Sequence, residues 1–146
     1  MGQRRAGYEI KMLSNLMKRQ VDGAFLEEEE SIKRITGVQG HILGYLYHHQ
    51  DEEIFQRDIE AEFLIRRSTV TGILQLMEKN GLIDRQPVAR DARLKQLKLT
   101  EKAIEAHHQI EERIDCVEAK LVQGICAEDM DAFYRVIGQM KRNLGG

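Results

Sequence analysis

The sequence predicts a mainly α-helical protein with one small β-hairpin, and three observations carry that expectation. Apolar residues recur at three- and four-residue steps through most of the chain. Helix-opening and helix-closing residues bracket those stretches. One short segment, 83–99, instead alternates apolar with polar residues around a basic turn. The expected fold class is a winged helix-turn-helix domain plus terminal dimerisation helices. The whole chain, 1–146, reads as one domain: a winged lobe over about 36–100, and dimerisation helices over about 8–26 and 100–144.

Each element has its own signal. Ile10, Leu13, Leu16, Met17, Val21 and Phe25 keep helical spacing, so a first helix is expected from about Tyr8 to Phe25. The acidic run Glu27 to Glu30 follows and reads as solvated. Thr36-Gly37-Val38-Gln39 has the form of a capping box, in which the threonine hydroxyl and the glutamine amide each satisfy the other residue's backbone N–H. The second helix then buries Val38, Ile42, Tyr45 and Leu46 and ends near His48-His49. Ile54-Phe55 reads as a very short strand or loop contact. A third helix covers Gln56 to Phe63 with Ile59 and Phe63 inward, and Leu64-Ile65 turns the chain.

A fourth helix is expected from about Arg67 to Asn80, with Val70, Ile73, Leu74 and Met77 buried. Gly81 fits the left-handed position just past a helix end, and Leu82 the apolar contact after it. The hairpin strands are placed at about Ile83 to Pro87 and Leu94 to Leu99. Thr100-Glu101 opens a long fifth helix reaching about Gly124, with Ile104, Ile110, Ile114, Val117 and Leu121 along one side. Glu128 and Asp129 suit a helix N-terminus and open a sixth, carrying Met130, Phe133, Ile137, Met140 and Leu144. The long apolar stripes at both chain ends exceed what a monomer this small would cover, so a homodimer is expected.

Composition limits the function classes. No apolar run approaches the roughly 20 residues needed to span a bilayer, so no membrane partner is expected. The basic start lacks the apolar block of a secretory signal, and the two cysteines suggest no disulfide framework, which together point to the cytoplasm. The formal charge of −2 is uneven. From Arg66 to Lys98 there are eight basic and three acidic residues, a local +5 that leaves −7 for the rest. Local field, not total charge, decides where a phosphate backbone docks.

A helix opening with hydroxyls and guanidinium groups suits a DNA major groove, and an arginine-bearing hairpin suits the adjoining minor groove. The expected DNA-contacting residues are Thr36, Arg66, Arg67, Ser68, Thr69, Thr71, Gln75, Arg90, Asp91, Arg93 and Lys95, with Lys98 in support. Ordinary capping and first-turn hydroxyls are the competing reading of Ser68, Thr69 and Thr71. No nucleophile–base pair, phosphate-binding glycine loop or paired-carboxylate motif points to an enzyme, and no cofactor is expected.

The histidines and cysteines are the remaining chemistry. His107 and Glu111, like His108 and Glu112, stand four residues apart, a spacing that metal sites use, and His41, His48 and His49 could join them. No cysteine–histidine ligand set accompanies them, so solvated or core histidines, and no metal, are the expectation. Cys116 and Cys126, if both on the fifth helix, stand about 15 Å apart along its axis, too far for a disulfide, and read as packing thiols.

These motifs together resemble the MarR family, named for the multiple-antibiotic-resistance regulator. The residues that carry the resemblance are Thr36-x-x-Gln39, Arg67-Ser68-Thr69-Val70-Thr71, Glu78-Lys79-x-Gly81-Leu82-Ile83, and Asp91-x-Arg93 running on to Leu99-Thr100. It implies a homodimeric transcriptional regulator, often a repressor, on pseudo-palindromic double-stranded DNA. It also implies that Arg93 enters the minor groove while Asp91 orients the wing. A small-molecule effector would occupy a cleft between the dimerisation helices and the DNA-binding lobe, where His41 and Tyr45 are the lining residues to consider. Three positions depart from the family pattern: Leu64 where glycine is common, Arg66 in place of a small cap, and Gly72 where relatives often carry a large polar residue. The alternatives are a metal- or redox-sensing regulator and a winged protein-interaction module without specific DNA binding.

Overall fold

In a computed structural model, which describes residues 4–24 and 35–146, the order is α1 (Ala6–Ala24), α2 (Gly37–His48), α3 (Gln56–Phe63), α4 (Arg67–Lys79), β1 (Ile83–Val88), β2 (Asp91–Leu99), α5 (Glu101–Val122) and α6 (Ala127–Asn143). Phe25 and the acidic run lie outside the described residues. No described helix is long and apolar enough to cross a membrane.

The helix ends follow their local chemistry. At α2 the Gln39 N–H donates to Thr36 Oγ1 at 3.3 Å and the Thr36 N–H donates to Gln39 Oε1 at 3.4 Å, so the capping box forms as read. α3 is entered differently: Asp58 accepts from the Phe55 N–H at 2.8 Å. Past α4, Gly81 takes φ +72° and the Leu82 N–H reaches back to the Met77 carbonyl at 2.9 Å. Thr100 accepts from the Ala103 N–H at 3.2 Å and donates its hydroxyl to the Gly81 carbonyl at 2.6 Å, which ties the start of α5 to the end of α4.

The core lies inside the winged lobe and on the near face of α5. Ile42, Leu43, Ile59, Val70, Leu74, Met77 and Ile83 are its largest fully buried side chains, joined by Leu46, Leu97, Ala103 and Ile110. Truncating Leu74 or Met77 to alanine would cost about 2–5 kcal/mol at such depth. α2 packs on α5 through glycine: a Cβ at Gly40 would touch Ile110 at 3.4 Å. Ile54 and Phe55 are buried, and the Ile54 carbonyl accepts from the Leu97 N–H at 2.7 Å, so that segment makes a loop contact with the sheet.

Three details differ from the sequence reading. Val38 is exposed in the protomer, because the side of α2 that carries it faces a cleft beside α1. Cys126 caps α6 and is not on α5, which ends before Gly124 turns the chain at φ +78°. Neither cysteine is a packing thiol: both are exposed.

The terminal helices are unlike the core. α6 buries none of its residues within the protomer, and Leu144 is 90 % exposed. On α1, Leu16 is 55 % exposed, and Tyr8, Ile10 and Leu13 are also open to solvent. Exposed apolar stripes of this length on two helices mark surfaces built to be covered.

Candidate nucleic-acid interface

The wing is a two-stranded antiparallel sheet with an irregular tip. Ile83 pairs with Leu99 and each successive pair holds register to Pro87 and Lys95, but Val88 pairs with Asp91. Three residues of β2, Ala92, Arg93 and Leu94, therefore have no partner opposite them. Proline contributes no N–H to a ladder, which suits Pro87 to the edge of such a bulge. The strands extend further towards the tip than the sequence suggests, and only Ala89-Arg90 forms the turn. Arg93 stands in the bulge rather than on the turn, and its side chain is 92 % exposed.

Asp91 holds that arginine. Its Oδ1 accepts the Arg93 backbone N–H at 2.9 Å and faces the Arg93 Nε at 3.3 Å. The carboxylate orients both the backbone and the guanidinium of the bulge. Arg90 is committed elsewhere: it is ion-paired with Glu53, and its guanidinium sits 5.9 Å from the Phe55 ring. Lys98 donates to the Gln50 carbonyl at 3.4 Å, which makes it a strut between the sheet and the loop after α2.

α4 presents its first turn next to the wing. Arg66, at the N-cap, gives no side-chain cap, so the helix end keeps its partial positive charge towards solvent. Arg66, Arg67, Ser68, Thr69 and Gln75 are exposed. Thr71 is not: its hydroxyl donates to the Arg67 carbonyl at 2.9 Å and accepts from Gln56 Nε2 at 2.8 Å, which locks α3 to α4. The capping-type reading of Thr71 thus fits its surroundings better than a contact residue. Gly72 is exposed with open space where a Cβ would stand. Leu64 adopts φ 52°, the left-handed conformation that glycine takes at no steric cost.

Between α4 and the wing is a concave surface of about 430 Å³ lined by Phe55, Gln56, Arg57, Glu60, Arg67, Arg85, Arg93, Leu94 and Lys95. Five cationic side chains from four elements, α3, α4, β1 and β2, meet one carboxylate, Glu60, there. Arg67, Arg93 and Lys95 were expected in such a surface. Arg57 and Arg85 were not. Arg57 stacks on Phe55 at 5.2 Å, and Arg85 is partly neutralised by Glu78 at 3.3 Å. Nothing in the helical period of α3 marks Arg57; only the crossing of α3 over α4 brings it to the wing.

Thr36 and His41 lie elsewhere. Together with Ser14, Met17, Lys18, Val21, Asp22 and Val38 they line a cleft of about 330 Å³ between α1 and α2. The Thr36 hydroxyl is occupied in the capping box, away from the basic surface. Tyr45 does not line that cleft; it stacks on His49 at 4.2 Å, with Phe63 edge-on at 6.0 Å. Burial, seconded by Glu62, Asp58 and Glu52, raises the pKa of its phenol. Among the other histidines, His48 and His107 come together with Glu111, whereas His108 is exposed and packs its ring edge on Tyr47.

The MarR family model matches residues 35–94, the stretch from the start of α2 into the wing. Several solved structures share the whole architecture. S. aureus MepR in a DNA complex is 29 % identical with a TM-score of 0.85, over 97 % of this chain and 99 % of that one. The transcription regulator MarR from Oenococcus oeni PSU-1 is 31 % identical with a TM-score of 0.76, over 94 % and 99 %. The heme sensor PefR from Streptococcus agalactiae, in complex with heme, is 26 % identical with a TM-score of 0.67, over 97 % and 95 %.

Proposed function

Starting from the fact that the chain belongs to the MarR family of transcription regulators, we propose that it is a homodimeric, ligand-responsive repressor acting on a pseudo-palindromic operator. The observation that carries the reading is the basic concavity between α4 and the wing. A first turn rich in guanidinium and hydroxyl groups enters the major groove, Arg67 and Lys95 hold phosphates, and Arg93 reaches the neighbouring minor groove. Ser68, Thr69 and Gln75 are the exposed residues of α4 in reach of base edges or backbone. Arg57 joins the phosphate contacts.

The apolar faces of α1 and α6, with the far part of α5, support the dimer, because water would otherwise cover them. The winged lobe over about 36–100 then reads one half-site, and the helices at either end set the distance to the second. An effector in the α1–α2 cleft would meet Met17, Val21 and Val38 as an apolar wall, Ser14, Thr36 and Asp22 as polar groups, and Lys18 and His41 as basic ones. A small organic molecule with an aromatic body and an anionic group fits that lining. It regulates only if it binds one spacing of the two lobes better than the other.

Selection of genomic fragments with the purified protein tests this. The expected result is a two-fold symmetric sequence with half-sites about 10 bp apart or a small multiple of it. Affinity should fall steeply with salt as counterions are released. Binding that prefers single strands, or that ignores salt, contradicts the reading.

A further inference from the structure

His107 lies on the inner face of α5, 4 % exposed, and its Nε2 has no hydrogen-bond partner among the described residues. A buried polar nitrogen left unpaired costs about 1–3 kcal/mol, and such atoms are rare in folded proteins. Burial lowers the pKa of His107 from its ordinary value, against the opposing pull of the Glu111 carboxylate.

Two further metal-binding groups stand near that nitrogen. Glu111, one turn along α5, places a carboxylate oxygen 3.5 Å from it. His48, the last residue of α2, places its Nε2 3.8 Å from the other carboxylate oxygen. The three ligand atoms lie within 4.8 Å of one another. Glu111 does not satisfy His107 by itself, because charge-assisted N–H···O bonds close to about 2.7–2.9 Å. Ligand atoms about 2.0–2.1 Å from a tetrahedral zinc ion stand about 3.4 Å apart, so with either carboxylate oxygen as the ligand one edge of the triangle needs a few tenths of an ångström and the other two at most about 1.4 Å.

The surroundings hold the buried ligand and leave the others free to close. Gly44 gives room on α2, since a Cβ there would stand 3.6 Å from His107 Cε1. The Tyr47 ring lies at 4.4 Å over the His107 ring and fixes its plane. His48 and Glu111 have side chains 63 % and 44 % exposed, which leaves an entry path and a coordination position facing water.

We propose that His48, His107 and Glu111 form a binding site for a divalent transition-metal ion of the zinc class, with three protein ligands and one position open to water. Two imidazoles and a carboxylate suit zinc better than they suit calcium or magnesium, which prefer all-oxygen shells. The ion would clip the end of α2 to the middle of α5. This site stands apart from the basic concavity and does not depend on the DNA-binding reading.

The test is an equilibrium titration of the full, tag-free chain, first stripped with chelator. Zn²⁺ is titrated in competition with a chromophoric chelator, and Co²⁺ is followed by its visible absorption. One ion per chain and a four-coordinate Co²⁺ spectrum are expected. His48→Gln and Glu111→Gln, both at exposed positions and each checked for folding by circular dichroism, should each weaken binding about tenfold or more. His41→Gln and His108→Gln should leave it unchanged. Absence of zinc binding at micromolar concentration overturns the proposal, as does parental affinity in both the His48→Gln and Glu111→Gln proteins. No DNA is present, so failure here leaves the operator reading standing, and failure of operator selection leaves the metal site standing.

Discussion

Replacing Arg93 with alanine separates the wing from the rest of the proposed interface. The side chain is 92 % exposed and, among the described residues, its ion pair is with Asp91, two residues away. An exposed pair contributes at most about 1 kcal/mol, so the thermal midpoint should hardly move. The DNA term is larger. A guanidinium placed in a narrow minor groove meets concentrated negative potential. Taking about 1–3 kcal/mol per lost arginine contact, the two wings of a dimer would lose about 2–6 kcal/mol together, a drop of roughly thirtyfold or more in operator affinity. Two fewer cations also lower the salt slope by about 1.8. Fluorescence anisotropy on one operator at several salt concentrations, with melts alongside, reads all three quantities. A folded Arg93→Ala protein with parental affinity and salt slope would refute the wing assignment and leave recognition to α4 alone.

Asp91→Ala should weaken operator binding less than Arg93→Ala does, because it loosens the bulge without removing a cation, and Arg85→Ala should also cost less, since Glu78 already offsets its charge. Arg57→Ala should reduce affinity for all duplexes about equally and lower the salt slope by about 0.9 per site, as a phosphate contact does; an altered sequence preference would count against that role. Sedimentation at micromolar concentration should give about twice the 16.9 kDa chain mass, and a Leu16→Glu, Phe133→Glu double variant should run as a monomer. A parental protein that sediments as a monomer would end the dimer proposal. Gly72→Ala should raise stability by about 0.5–1 kcal/mol, measured by denaturant melts, since the added methyl group meets open space within a helix.

Much of the fold was legible because its signals are local. A capping box needs only Thr36 and Gln39 three residues apart, a helix stop only Gly81 followed by Leu82, and a wing only the alternation through Leu97 and Leu99. These depend on hydrogen-bond reach and on the periods of helix and strand, so the chain itself determines them. The same holds for Arg67, Arg93 and Lys95, whose elements could be placed before their contacts were known. Tertiary packing decided what side chains from different elements do to one another. It brought Arg57 and Arg85 into the basic concavity, engaged Thr71 with Gln56, paired Arg90 with Glu53, and sent His41 and Tyr45 to different surroundings. It also chose His48, not its neighbour His49, to meet His107 and Glu111. Those outcomes depend on the angle and register at which one helix crosses another, and a side chain rotated by a single residue step of 100° faces a different neighbour.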